Sequence, residues 1–115
     1  MNQSYQTHPW MGVFAATLCP FHPDETIDEP GLRSYFAWLC GIPGLKGLVC
    51  NGHTGEIMAL DLAERTRVTR ILAEEVKKSG RPLKVISGIA AEGSRVAVDH
   101  AKAAKEAGAD AILLM

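Results

Sequence analysis

Four short apolar runs recur along the chain at intervals of about 30 residues, and helix-forming segments fill the gaps between them. The runs are Val13–Leu18, Gly47–Asn51, Leu83–Ser87 and Ala111–Met115. Strand and helix alternating at this period predict parallel strands joined by right-handed crossovers, hence an α/β fold with three intervening helices. Both a doubly wound sheet and a (β/α)8 barrel obey this grammar, and the pattern alone leaves both open.

Local signals place the elements. Pro20 and Pro23 stop the first strand. Asp28 is an N-cap candidate, with Glu29 suited to the helix dipole and Pro30 tolerated in the first turn. Leu32, Tyr35, Phe36 and Leu39 then form an apolar helical stripe, ended by Gly41-Ile42-Pro43-Gly44. Asp61-Leu62-Ala63-Glu64 has the form of a capping box and predicts a helix over Leu62–Ser79. Its inward face would be Val68, Ile71, Leu72 and Val76, with Glu74 and Lys78 at i, i+4 outside. Gly80 and Pro82 end it, and Gly88 is expected to close the third strand. Ser94 is the expected cap of a third helix, whose inner face is Ala97, Ala101, Ala104 and Gly108.

The stretch from Gly47 to Glu56 carries the chemistry. Gly47-Leu48-Val49-Cys50 reads as a strand buried on both faces, and Gly52-His53-Thr54-Gly55-Glu56 as the turn after it. Glycines there permit positive φ or close approach to bare amides, and a threonine hydroxyl beside an amide seats a carboxylate. Function in α/β proteins sits at such strand C-terminal ends.

This turn resembles the Gly-Thr/Ser-Thr-Gly-Glu signature of the dihydrodipicolinate synthase / N-acetylneuraminate lyase family. Three further segments resemble that family in the same register. Ala16-Thr17-Leu18-Cys19-Pro20-Phe21 is similar to its first-strand ending, Leu60-Asp61-Leu62-Ala63-Glu64-Arg65 to a helix start, and Val85-Ile86-Ser87-Gly88 to its third strand. The likeness spans roughly Gly12 to Met115. It implies the barrel rather than the doubly wound sheet, with this chain as the first half, since a whole barrel takes about 250 residues. Residues 1–10 are then an N-terminal extension and 11–115 a truncated barrel domain.

The resemblance also implies an activity. Members of that family form a Schiff base between a lysine and a 2-oxo acid such as pyruvate, then make or break a bond beside that carbon. The family's lysine lies on the sixth strand and its catalytic tyrosine follows the fifth, so both are expected beyond Met115, and the 115-residue chain alone is expected to be inactive. The six lysines present, at 46, 77, 78, 84, 102 and 105, fall at strand starts or on helix surfaces. Thr54 matches the threonine that holds the substrate carboxylate, with Gly52 and Gly55 shaping the turn. His53 stands where the family has Thr or Ser in a relay that includes the tyrosine; histidine both donates and accepts, so it is the candidate relay residue or a substrate contact. A packed core histidine is the alternative. Glu56 is expected to bond free amides at the next helix start. Ile57, Met58 and Glu92 depart from feedback-inhibited members, which carry small or polar residues after the signature and Asn after the third strand. With His53 they favour a catabolic or uncharacterised member.

Composition narrows the remaining classes. The chain has 115 residues, 47% hydrophobic and 22% charged, with a net charge of −1, the profile of one globular domain. No basic cluster or long apolar run points to nucleic acid or membrane as partner. Three cysteines without a Cys-x-x-Cys pair, and an uncharged N-terminus, favour free thiols and a cytoplasmic setting. The expected partner is a small 2-oxo acid within a homo-oligomer, with no cofactor. The competing reading is a non-catalytic or metal-binding α/β module complete at this length. Its ligands would come from two Cys-x-x-His pairs, Cys19/His22 and Cys50/His53. No Gly-Lys-Ser/Thr phosphate loop and no Gly-x-Ser-x-Gly elbow are present.

Overall fold

The computed structural model describes residues 8–115, so most of the expected N-terminal extension lies outside the described residues. The elements follow the order β1 (Val13–Ala16), α1 (Glu29–Cys40), β2 (Leu45–Cys50), α2 (Leu62–Ser79), β3 (Lys84–Ile89), α3 (Ser94–Ala107) and β4 (Ala111–Leu114). All neighbouring strands pair in parallel, and their order in the sheet is β1-β2-β3-β4. That order decides what periodicity left open. A doubly wound sheet reverses direction part-way across, whereas a barrel adds each strand beside the previous one.

Capping chemistry sets the helix starts. Asp28 accepts from the Gly31 amide (3.0 Å) at α1, and Pro30 occupies the first turn. At α2 the Asp61 carboxylate accepts from the Glu64 amide, and Glu64 accepts from the Asp61 amide, each at 2.8 Å. Gly80 ends α2 and Gly108 ends α3, both left-handed. Leu32, Phe36 and Leu39 on α1 and Val68, Ile71, Leu72 and Val76 on α2 bury against Leu48, Cys50 and Val85 of the sheet.

Five expectations are corrected. Leu48 and Cys50 are fully buried beneath the helices, but Val49 between them is only half-buried, so β2 is covered on one face rather than two. Strand β1 ends at Ala16, although the Thr17 amide still reaches Val49 O (2.9 Å). Gly88 lies within β3 instead of closing it; a Cβ there would stand 2.0 Å from the Asn51 carbonyl, so glycine marks a close approach of strands. Gly93, not Ser94, occupies the N-cap of α3, because Ser94 is already helical and makes no capping bond. Glu74 does not pair with Lys78. It bonds Arg33 of α1 (2.8 Å), while Lys78 bonds Glu75 (3.1 Å).

Those carboxylates belong to an ion cluster between α1 and α2, in which Arg33 also reaches Glu29 (3.0 Å) and the buried Glu75 (3.1 Å). Arg67 bonds Glu29 as well. Hydrogen bonds from Arg67 and then Arg33 hold the Glu29 carboxyl below its usual range. Among the described residues no helix is long and apolar enough to cross a membrane.

Candidate active site

Past Cys50 the chain turns sharply, with Asn51 at φ +55°, a conformation asparagine tolerates better than most residues. The turn Gly52–Glu56 is closed by Gly55 N–H to Gly52 O (3.1 Å), Glu56 N–H to His53 O (3.1 Å) and Ile57 N–H to Gly52 O (3.3 Å). Gly55 is buried against β1: a Cβ there would meet Asn51 N and Thr17 O, each at 3.2 Å. This closeness lets the Thr54 hydroxyl donate to Thr17 O (3.2 Å), joining the ends of β1 and β2. The backbone amides of His53 and Thr54 reach no backbone carbonyl among the described residues. Both side chains are exposed, so His53 is not a packed core residue. Gly52 is buried, with open space where a Cβ would point.

Beneath the turn lies a buried polar network absent from the sequence-based site. The Asn51 amide nitrogen donates to Arg65 O (2.9 Å) and lies within reach of Thr69 Oγ1 (3.0 Å) and Ser87 Oγ (3.2 Å). Thr69 and Ser87 hydroxyls are 2.9 Å apart. The Asn51 amide oxygen is buried with no donor among the described residues. Arg65 extends from the first turns of α2 to Ile57 O (3.1 Å), Leu60 O (2.9 Å) and Ala90 O (3.2 Å). A polar residue ending an apolar strand was the available signal for Asn51. Nothing in the sequence ties Arg65, Thr69 and Ser87 to Asn51, since these bonds span 14 to 36 residues.

Glu56 does not bond the helix start as expected. It sits left-handed at φ +60° with no capping bond, because the Asp61–Glu64 box already satisfies the amides of α2. Instead Glu56 lines an open cleft of about 390 Å³ with Phe21, His22 and Glu25. Lys46 and Lys84 lie at the N-terminal ends of β2 and β3, away from the turn, with Lys84 Nζ 5.3 Å from the Trp10 ring centroid. The two Cys-x-x-His pairs do not converge: Cys50 Sγ contacts Thr69 Oγ1 (3.7 Å) and Ile86 O (3.6 Å), and His22 stands 3.9 Å from Asp28. Among the described residues no group of three His, Cys, Asp or Glu side chains is placed to hold a metal. Burial raises the Cys19 and Cys50 thiols to about 11, which keeps them protonated and poor as ligands.

The family model for the dihydrodipicolinate synthetase family matches residues 9–115. The chain belongs to that family. It is 39% identical to the 4-hydroxy-tetrahydrodipicolinate synthase of Nitratidesulfovibrio vulgaris over 104 residues, 90% of this chain and 34% of that protein. It is 36% identical to a probable 5-dehydro-4-deoxyglucarate dehydratase of Bradyrhizobium sp. over 104 residues, 90% of this chain and 32% of that protein. Among solved structures it overlays YagE, a prophage protein of the dihydrodipicolinic acid synthase family from E. coli K12 in complex with pyruvate. There the TM-score is 0.76 at 25% identity, over 91% of this chain and 34% of that one. The chain thus spans about a third of the length of the relatives it matches. Its four parallel strands and three helices are the first half of the family's (β/α)8 barrel, and the Gly52–Glu56 turn lies at the C-terminal end of the second strand.

Proposed function

We propose that this chain supplies the carboxylate-binding corner of a Schiff-base lyase acting on pyruvate or another 2-oxo acid. The observation that carries the proposal is the turn itself. Two consecutive amides, at His53 and Thr54, are left without backbone partners beside a threonine hydroxyl, on a loop rigidified by Gly55 and Thr17. Such donors suit a carboxylate, which accepts several hydrogen bonds at once.

In this reading Thr54 binds the carboxylate, Gly52 and Gly55 shape its seat, and His53 relays a proton or touches the second part of the substrate. The Schiff-base lysine and the catalytic tyrosine come from outside this chain, which by itself is inactive. The parent protein is a cytoplasmic homo-oligomer that needs no added cofactor. It acts either as a 4-hydroxy-tetrahydrodipicolinate synthase or as an aldolase or dehydratase of 2-keto-3-deoxy sugar acids. His53 favours the second, because an imidazole offers a donor and an acceptor to a hydroxylated substrate. Similarity to a probable 5-dehydro-4-deoxyglucarate dehydratase supports the same choice.

Borohydride trapping tests the reading. The full-length parent incubated with pyruvate, or with a 2-keto-3-deoxy sugar acid, and reduced should gain one adduct on a lysine beyond Met115. Absence of an adduct with every 2-oxo acid tried would remove the proposal.

A further inference from the structure

Arg65 bridges two loops through its side chain. Its guanidinium grips the segment after β2 at Ile57 O (3.1 Å) and Leu60 O (2.9 Å), and the loop after β3 at Ala90 O (3.2 Å). The same Nη1 lies 3.5 Å from His100 Nδ1 on α3. Its own carbonyl accepts from the Asn51 amide (2.9 Å), the residue immediately before the Gly52 turn. One side chain and its backbone therefore touch both loops that leave adjacent strands at the C-terminal end, and the base of the turn as well.

We infer that Arg65 is a positioning residue, a clasp that sets the two loops against each other and thereby holds the Gly52–Gly55 turn in its binding geometry. The role in ligand binding rests on the 2-oxo acid reading above, whereas the clasp itself rests only on these contacts. Geometry makes arginine necessary. The single Nε–H is shared between the Ile57 and Leu60 carbonyls of one loop while Nη1 reaches the Ala90 carbonyl of the other, a fixed separation of donors that the compact ammonium of lysine does not offer. The carbonyls at Leu60 and Ala90 stand outside the strands and helices, so the clasp satisfies acceptors that no ladder bond reaches, while Ile57 O also accepts from the Leu60 amide (3.1 Å). With a sub-ångström shift at a binding loop sufficient to weaken a ligand's hydrogen bonds, loosening the clasp acts on binding at a distance.

The test uses the full-length parent with Arg65→Lys, and Arg65→Gln should the lysine variant fail to fold. Arg33→Ala is the control, because Arg33 ties α1 to α2 on the outer surface, away from the turn. Native-state hydrogen exchange should accelerate in the Arg65 variant at residues 52–60 and 90–93 while the remaining amides stay protected. The Michaelis constant for pyruvate should rise about tenfold, with a smaller change in kcat. Arg33→Ala should lower the melting temperature without either effect. Exchange that stays unchanged, or rises uniformly as in the control, overturns the clasp. Local acceleration with an unchanged Michaelis constant overturns its bearing on the site. Should the wild-type parent bind no 2-oxo acid, the functional reading falls, and the exchange pattern still decides the clasp.

Discussion

The Thr54 hydroxyl donates to the carbonyl of Thr17 across 3.2 Å, so the exposed turn after β2 is tied to the residue that directly follows β1. The bond spans 37 residues of sequence and stands beside the Thr17 amide's bond to Val49 O (2.9 Å) at the same corner.

Replacing Thr54 by alanine in the full-length parent removes that tie and the hydroxyl that would turn from Thr17 O to donate to the substrate carboxylate, while the Thr54 amide remains. A hydrogen bond to a charged group is worth about 1.5–3 kcal/mol, so the Michaelis constant for the 2-oxo acid should rise by about 10- to 100-fold. Steady-state kinetics measures this. Unchanged constants would reduce Thr54 to a turn residue.

His53→Thr moves the chain toward the family's pattern. The side chain is exposed, so folding should be unaffected and the melting temperature should stay within a degree or two. Relative activity on hydroxylated against unhydroxylated 2-oxo acids should change. An inert swap by competition kinetics would deny His53 a part in the reaction.

Gly55→Ala places a methyl group against two backbone atoms, Asn51 N and Thr17 O, each 3.2 Å away. Backbone gives way less readily than a side chain, and overpacking of this kind costs about 1–3 kcal/mol. Thermal unfolding should show the loss, together with weakened 2-oxo acid binding. At Gly52, where a Cβ would meet nothing within 4 Å, the same substitution should cost less stability.

The buried thiols predict a loss of stability in alkali. Cys19 and Cys50 titrate at about 11 in the folded chain, chiefly through burial, against about 8.5 when unfolded. Their contribution is whole below the unfolded value and is lost as pH rises from there through about 11, because the unfolded thiols ionise first. Denaturant titrations between neutral pH and pH 10 should show a falling midpoint, and Cys50→Ser should flatten that slope. Thiol reagents at neutral pH should label Cys40 and Cys50 only after unfolding, as both side chains are buried.

Expressed alone, the 115-residue chain should self-associate. Val13 on one edge strand is 63% exposed and Leu114 on the other 65%, with Ile112 and Leu113 beside it. Edge strands with bare ladder groups and wet apolar side chains recruit further strands. Light scattering coupled to size-exclusion chromatography should report dimers or larger species, and a stable monomer would contradict the expectation.

Much of this architecture was readable beforehand. Asp61 and Glu64 announced α2 to the residue, because capping is local chemistry confined to four positions. Strand period and the Gly52–Glu56 turn were equally local. Ser94 and Gly88 misled for one reason: serine and glycine each serve several geometries, and only neighbours distant in sequence select among them. Gly88 is glycine because Asn51, 37 positions earlier by numbering, presses its carbonyl against it. The Arg65 clasp was hidden likewise, since backbone carbonyls leave no mark on a sequence.

The unreversed strand order has a consequence for how this protein is born. Among these four strands, each one after β1 meets a partner already in place as it leaves the ribosome, and only the outer edge of β1 waits for the strand that closes the barrel. Every paired neighbour lies one strand–helix unit back along the chain, so the loop to be closed is the shortest a parallel pairing allows. Order of synthesis and order of assembly can therefore coincide, with Thr54 fastening the second strand to the first before the third is made.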